Sequence, residues 1–158
     1  MKLFCSFSLL ALLAGCLINT AGCQAYQLRG VVLEHTTKSE VLVVDASDPR
    51  LQTPGIEQAV VEVILEPGEM HPAKLPPLAT DEQGAFAIPI EKDGAGFLEY
   101  QVLIAARKPG FAASWKQILL PGQDKRLLIY MKPGRDDYRP MPDILQDTMK
   151  YRRLMDSE

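Results

Sequence analysis

Pro-Gly pairs punctuate this chain at 54–55, 67–68, 109–110, 121–122 and 133–134, and between them apolar residues alternate with polar ones. Each pair closes a run, because proline cannot donate to a ladder and glycine takes turn conformations that other residues avoid. A chain cut at this spacing builds short strands joined by tight turns rather than long helices. The clearest run is Gln58 to Glu66. It places Ala59, Val61, Val63 and Leu65 on one face and Glu62 with Glu66 on the other. That period of two marks a half-buried strand.

The same reading gives six more strands. Gln27 to Leu33 carries Leu28, Val31, Val32 and Leu33, and Glu40 to Asp45 carries Val41-Leu-Val-Val44 before the turn signal Asp48-Pro49. After Thr80-Asp-Glu-Gln-Gly84 come Phe86, Ile88 and Ile90 on one face, then Tyr100, Val102, Ile104 and Ala106. Trp115 to Leu120 follows, and Leu127, Ile129 and Met131 alternate in the last strand. Seven strands in about 110 residues is the size of one antiparallel β-sandwich, so the expected fold class is all-β, seven-stranded and transthyretin-like or Ig-like. Val60, Leu103 and Leu128 fall on nominally outer faces, which asks for a second covering layer or a partner.

The N-terminus has a different character. Lys2 precedes an apolar run from Leu3 to Leu13, too short to span a bilayer, which takes about 20 residues. The run ends in Leu13-Ala14-Gly15-Cys16, and this resembles a bacterial lipoprotein signal, whose cysteine is acylated and becomes the first residue of the mature chain. Thr20-Ala21-Gly22-Cys23 is the alternative site. Cys16 is preferred because Leu13 stands three residues before it, whereas Asn19 separates Cys23 from the apolar run. Cys23 has one argument of its own: acylation there leaves no spare thiol. Cleavage near Ala21 or Ala25, giving a secreted protein, is a third reading. The resemblance implies a cell-envelope protein held by lipid, with residues 1–15 as signal and 16–26 as tether. Neither Leu17 nor Gln24, the residues after the two cysteines, is the Asp that retains enteric lipoproteins in the inner membrane, so the outer membrane is the default.

No cysteine occurs after residue 23, so the main domain, residues 27–134, must stand on its own core without a disulfide. The formal charge is −3 for the whole chain and −4 once Lys2 leaves with the signal. That balance argues against nucleic acid or anionic lipid as an electrostatic partner. Past Gly134 the chain turns polar through Arg135-Asp-Asp-Tyr-Arg-Pro-Met-Pro142. Asp143 then offers an N-cap with Gln146 at the reciprocal position, and Ile144, Thr148, Tyr151 and Met155 share a stripe. The spacing predicts a helix over 144–154. A helix that short is marginal alone, so it docks on the sandwich, binds a partner or frays.

Order and spacing along the strands carry a further likeness. Gly30-Val31, Pro54-Gly-Ile56 before Ala59-Val-Val-Glu-Val63, Thr80-Asp81 before Gly84-Ala-Phe86, Tyr100-Gln-Val102 running to Pro109-Gly-Phe111, and Leu127-Leu-Ile-Tyr-Met131 before Pro133 together resemble the carboxypeptidase regulatory-like domain, a small transthyretin-like sandwich. The resemblance covers roughly residues 27 to 133 and implies a non-catalytic module, with Phe86 and Phe111 turned inward by Gly84 and Gly110. Residues 34–53 depart from it as an insertion with an extra apolar run, and the Asp93-Gly-Ala-Gly96 loop departs too.

The residues offer little catalytic chemistry. His35 and His71 stand outside any spaced ligand motif, and neither a nucleophile elbow nor a phosphate loop is present. In Glu66-Pro-Gly-Glu69-Met70-His71 a carboxylate, thioether and imidazole gather in a way copper could use, but no second shell is evident and an exposed loop explains the stretch as well. No metal or cofactor is therefore assigned, and no enzyme activity is expected. Trp115, the only tryptophan, could stack on a sugar ring or fill the core. Lys125-Arg126 and Arg152-Arg153 read as solvated surface. The expected role is a non-catalytic envelope module that binds or scaffolds other envelope components, through a protein partner on the 144–155 stripe. Binding of surface or peptidoglycan glycans is the alternative, and copper binding or an enzyme the third.

Overall fold

The computed structural model describes residues 26–139. Both candidate acylation sites, Cys16 and Cys23, lie outside the described residues, as does the 144–154 helix with Ile144, Thr148, Tyr151 and Met155. The strands are β1 (Gln27–Glu34), β2 (Glu40–Asp45), β3 (Val60–Leu65), β4 (Ala73–Lys74), β5 (Leu78–Ala79), β6 (Ala85–Pro89), β7 (Gln101–Arg107), β8 (Ser114–Leu119) and β9 (Lys125–Met131). They form two sheets. One has the order β2-β9-β1-β6; the other runs β4-β3-β7-β8, with β5 also paired to β3. The all-β, two-sheet expectation therefore holds.

The alternating residues read from the sequence do face inward. Val61, Val63 and Leu65 of β3, Val102, Ile104 and Ala106 of β7, Phe86 and Ile88 of β6, and Leu127, Ile129 and Met131 of β9 join one buried cluster between the sheets. Tyr26, expected to end the tether, is buried in the same cluster.

The expected strand count and pairing need correction in two places. There are nine strands among the described residues rather than seven. The extra pair, β4 and β5, comes from Pro72-Ala-Lys-Leu-Pro-Pro-Leu-Ala79, where Pro76 and Pro77 split one edge segment into two-residue pieces. Ala73 and Lys74 pair with Leu65 and Ile64; Leu78 and Ala79 pair with Val61 and Val60. Prolines confine such a segment to an edge and erase the alternation by which strands are recognised. The sandwich is also not wholly antiparallel. β1 and β9 run parallel, with Gly30 opposite Leu127 and Glu34 opposite Met131. A parallel pair needs a long crossover, and the chain from β2 to β8, which includes every strand of the second sheet, supplies it.

That parallel pair is covered on both faces, as its near-continuous apolar sequence requires. Val31, Leu33 and Leu128 on the outer face form a second cluster with Leu42, Val44 and Leu51. Leu51 belongs to a 3-10 turn (Pro49–Gln52) whose first amide is capped by Asp48. The 34–53 insertion therefore supplies the edge strand β2 of the first sheet, and its Leu42, Val44 and Leu51 pack with Leu128 on the outer face.

The turn before β6 is fixed by specific bonds. The Thr80 hydroxyl donates to Ile56 O (2.6 Å) and accepts from Ala59 N (2.9 Å). Asp81 accepts from the amides of Gln83 and Ala85. Gly84 then sits at φ +76°, where a Cβ would lie 2.6 Å from Ile56 N and 2.7 Å from Val32 O. Gly84→Ala should cost about 2 kcal/mol or more and lower the melting temperature by roughly 10 °C. Thermal unfolding followed by circular dichroism checks this, and a shift under about 3 °C would refute it.

Candidate functional site

The outer face of the second sheet holds the cleft. Along β7, Leu103 and Ala105 point outward, opposite Gln117 and Trp115 of β8. Ala105 has no bulk to shield the indole beside it. Trp115 is accordingly 58% exposed, although a lone strand tryptophan usually fills a core. Leu103 and Ala105 are nevertheless buried, because the chain beyond β9 folds back over them.

Three contacts steer that return. Phe111 and Pro133 bridge, Ala112 N donates to Lys132 O (2.9 Å), and Gly134 N donates to Gly110 O (2.9 Å). The tail then descends across β7. Arg107 Nε donates to Asp136 Oδ2 at 2.8 Å, and its other arm reaches Glu62 Oε1 at 3.4 Å. The Asp136 hydrogen bond, with the charges of Asp136 and Glu62, holds the Arg107 guanidinium above its ordinary range. The same guanidinium lies 5.6 Å from the Tyr138 ring centre. Tyr138 N donates to Asp136 Oδ1 (3.1 Å), which closes a turn and sets the ring 6.3 Å from Trp115 at 48°. Burial, then the Glu62 charge, pushes the Tyr138 hydroxyl up.

The result is a cleft of about 410 Å³ lined by Leu103, Trp115, Gln117, Asp137, Tyr138 and Arg139. Its floor is apolar, one side is an aromatic pair, and its rim carries an amide, a carboxylate and a guanidinium. Such a surface can stack against a planar or ring-shaped group and hydrogen-bond its edge.

Of the site residues proposed from the sequence, Trp115 is the one among the described residues that lies here, beside Leu103, which the sequence marked as needing cover. Tyr138 and Asp136 were missed because residues 135–142 read as a polar linker, and Arg107 because it is a lone charge at the end of a strand. The usable signal was Leu103, an apolar residue on an outer face with no visible cover. The Glu66–His71 stretch lies in the loop leaving β3, with Glu69, Met70 and His71 exposed. Glu66 Oε1 accepts from Gln101 N (3.2 Å), Met70 points to solvent, and among the described residues no three His, Cys, Asp or Glu side chains cluster to hold a metal. Lys125 pairs with Asp45 (2.6 Å), and Arg126 donates to nearby carbonyls, so both are surface groups.

Compared with known proteins, the chain matches no protein-family model, no curated sequence and no solved structure.

Asp136→Ala should free the tail without unfolding the sandwich, since exposed ion pairs contribute little to global stability. Trypsin should then cut after Arg135 several-fold faster, beyond the ratio seen for the two sequences as free peptides, while the melting temperature moves by less than about 3 °C. An unchanged cleavage rate would show that Asp136 does not hold the tail.

Proposed function

We propose that this chain is a lipid-anchored protein of the cell envelope, in the outer membrane by default. Its one transthyretin-like sandwich, of the carboxypeptidase regulatory-like kind, acts as a non-catalytic module that binds or scaffolds other envelope components. The observation that carries this reading is the Trp115–Tyr138 cleft. The core closes without Trp115, so stability gives no reason to leave an indole in water, whereas exposed Trp, Tyr and Arg groups carry much of the affinity at binding surfaces. The signal-like sequence ending at Cys16 supports the anchor, and the inward Phe86 and the tight Gly84 turn support the domain kinship. The 144–155 stripe remains a proposed protein contact, five residues beyond Arg139 in sequence.

The glycan reading stands second and rests on one feature. An aromatic pair flanked by Gln117, Asp137 and Arg139 is the mixture of stacking and hydrogen-bonding groups that sugar rings engage.

Labelling cells with radioactive palmitate should mark the full chain. Cys16→Ala should abolish the label, whereas retention of label there and loss with Cys23→Ala would move the anchor. Crosslinked capture from intact envelopes should return a protein partner near one to one, and Trp115→Ala should reduce that capture at least tenfold while the protein stays folded. Loss of retention on isolated cell-wall or surface polysaccharide, with no protein captured, would instead establish the glycan reading. Unchanged behaviour in both assays would remove the cleft from function.

A further inference from the structure

The chain enters the sandwich at one end, and that end carries the most exposed apolar side chains. Gln27, the first residue of β1, lies opposite Pro89, and Ile90 N donates to Tyr26 O at 3.0 Å. The loop from Glu91 to Tyr100 therefore begins beside the point of entry. It is pressed against that point: Gly96 sits at φ +84°, where a Cβ would fall 2.5 Å from Tyr26 Cδ2. The Tyr26 hydroxyl donates to Pro121 O at 2.6 Å, and burial pushes it up to about 12. Leu120 N donates to Tyr100 O at 2.7 Å, which ties the β8–β9 turn to the same end.

At the tip of this clamped loop Phe97 is 85% exposed and Leu98 57%. Leu119, 52% exposed, ends β8 opposite Gln101, the first residue of β7. Met70, 78% exposed, lies in the loop leaving β3 at this end, where Glu66 N donates to Gln101 O. Phe97 and Met70 are the two most exposed large apolar residues among those described. The first stands in a loop whose base is fixed by hydrogen bonds and close packing, so neither slack chain nor a core vacancy explains it.

We propose that the Phe97–Leu98 tip inserts into the interfacial layer of the bilayer beside the N-terminal lipid, so that this end of the sandwich rests on the membrane. The proposal rests on the lipid-anchor reading. Reach supports it. Cys23 stands three residues before Tyr26 and Cys16 ten, so the tether spans at most about 10 or 35 Å. The strands are roughly 20–27 Å tall, so anchoring at Cys23 leaves only this end able to meet the bilayer, and anchoring at Cys16 leaves it the nearer one. The charges near the tip are mixed. Glu91, Asp93 and Glu99 stand against Lys92, which lies 4.2 Å from the Tyr100 ring centre. Contact through apolar groups therefore needs no anionic lipid. Trp115, four residues up β8 from Leu119, would be held roughly 14 Å above the surface, with its cleft opening sideways toward other envelope components.

The test uses the full lipidated chain in phosphatidylcholine vesicles with and without bromine on the acyl chains. Trp115→Phe combined with Phe97→Trp leaves a single indole at the tip, and Trp115→Phe combined with Leu98→Trp is a second probe should the first fail to fold. Brominated lipid should lower the emission of the tip indole at least about twofold, while native Trp115 should lose less than about a tenth. If the protein floats with the vesicles and no tip indole is quenched, the insertion is refuted and the anchor stands. If Trp115 is quenched as strongly as the tip, the upright orientation is refuted. If the protein does not float, the anchor falls and the insertion with it.

Discussion

Leu127, Leu128 and Ile129 are three consecutive residues of β9 with no exposed surface, and the architecture follows from hiding them. Side chains alternate across a strand, so consecutive buried residues need cover on both faces. One face is met by the second sheet. On the other, Leu128 packs with Leu42 and Val44 of the neighbouring strand β2 and with Leu51 of the Pro49–Gln52 turn. β1 lies beside β9 in parallel and needs the same cover: Val32 joins the main core, Val31 and Leu33 the outer cluster. With no cysteine in this domain, burial of this central pair is what the fold has to stand on.

The second sheet meets a milder form of the same demand. Its central strand β7 is buried on both faces, but among the described residues no further strand covers Leu103 and Ala105. The tail does so instead, fixed by Arg107–Asp136 and weighted by Tyr138. Among the described residues the tail, 135–139, crosses β7 and leaves the β8 edge beside Trp115 exposed. The cleft beside Trp115 is the part it leaves open. The cleft thus lies where the described part of the tail crosses β7, between Tyr138 and the exposed face of Trp115.

Much of the fold was legible locally. The inward residues of β3, β6, β7 and β9 stood at period two, and the Pro-Gly pairs set strand ends. The short strands β4 and β5 were not legible, because prolines remove the alternation that marks a strand. Nor was the parallel pairing of β1 with β9, since residues almost a hundred positions apart carry no local sign of which neighbour they will take. At the site, Trp115 was visible as a lone indole, whereas Tyr138, Asp136 and Arg107 looked like ordinary polar positions until the tail was seen to cross β7.

The sequence by itself determined the strand runs, their inward faces, the absence of a disulfide in the main domain and the need for cover over Leu103 and Leu128. These follow from residue type and spacing along one stretch of chain. Tertiary structure alone decided what supplied that cover. It also decided that Trp115 would face solvent and that Phe97, Leu98, Leu119 and Met70 would gather at the end where the chain enters. Those outcomes depend on which distant segments meet, and long-range contact is set by the packing of whole sheets rather than by any local pattern.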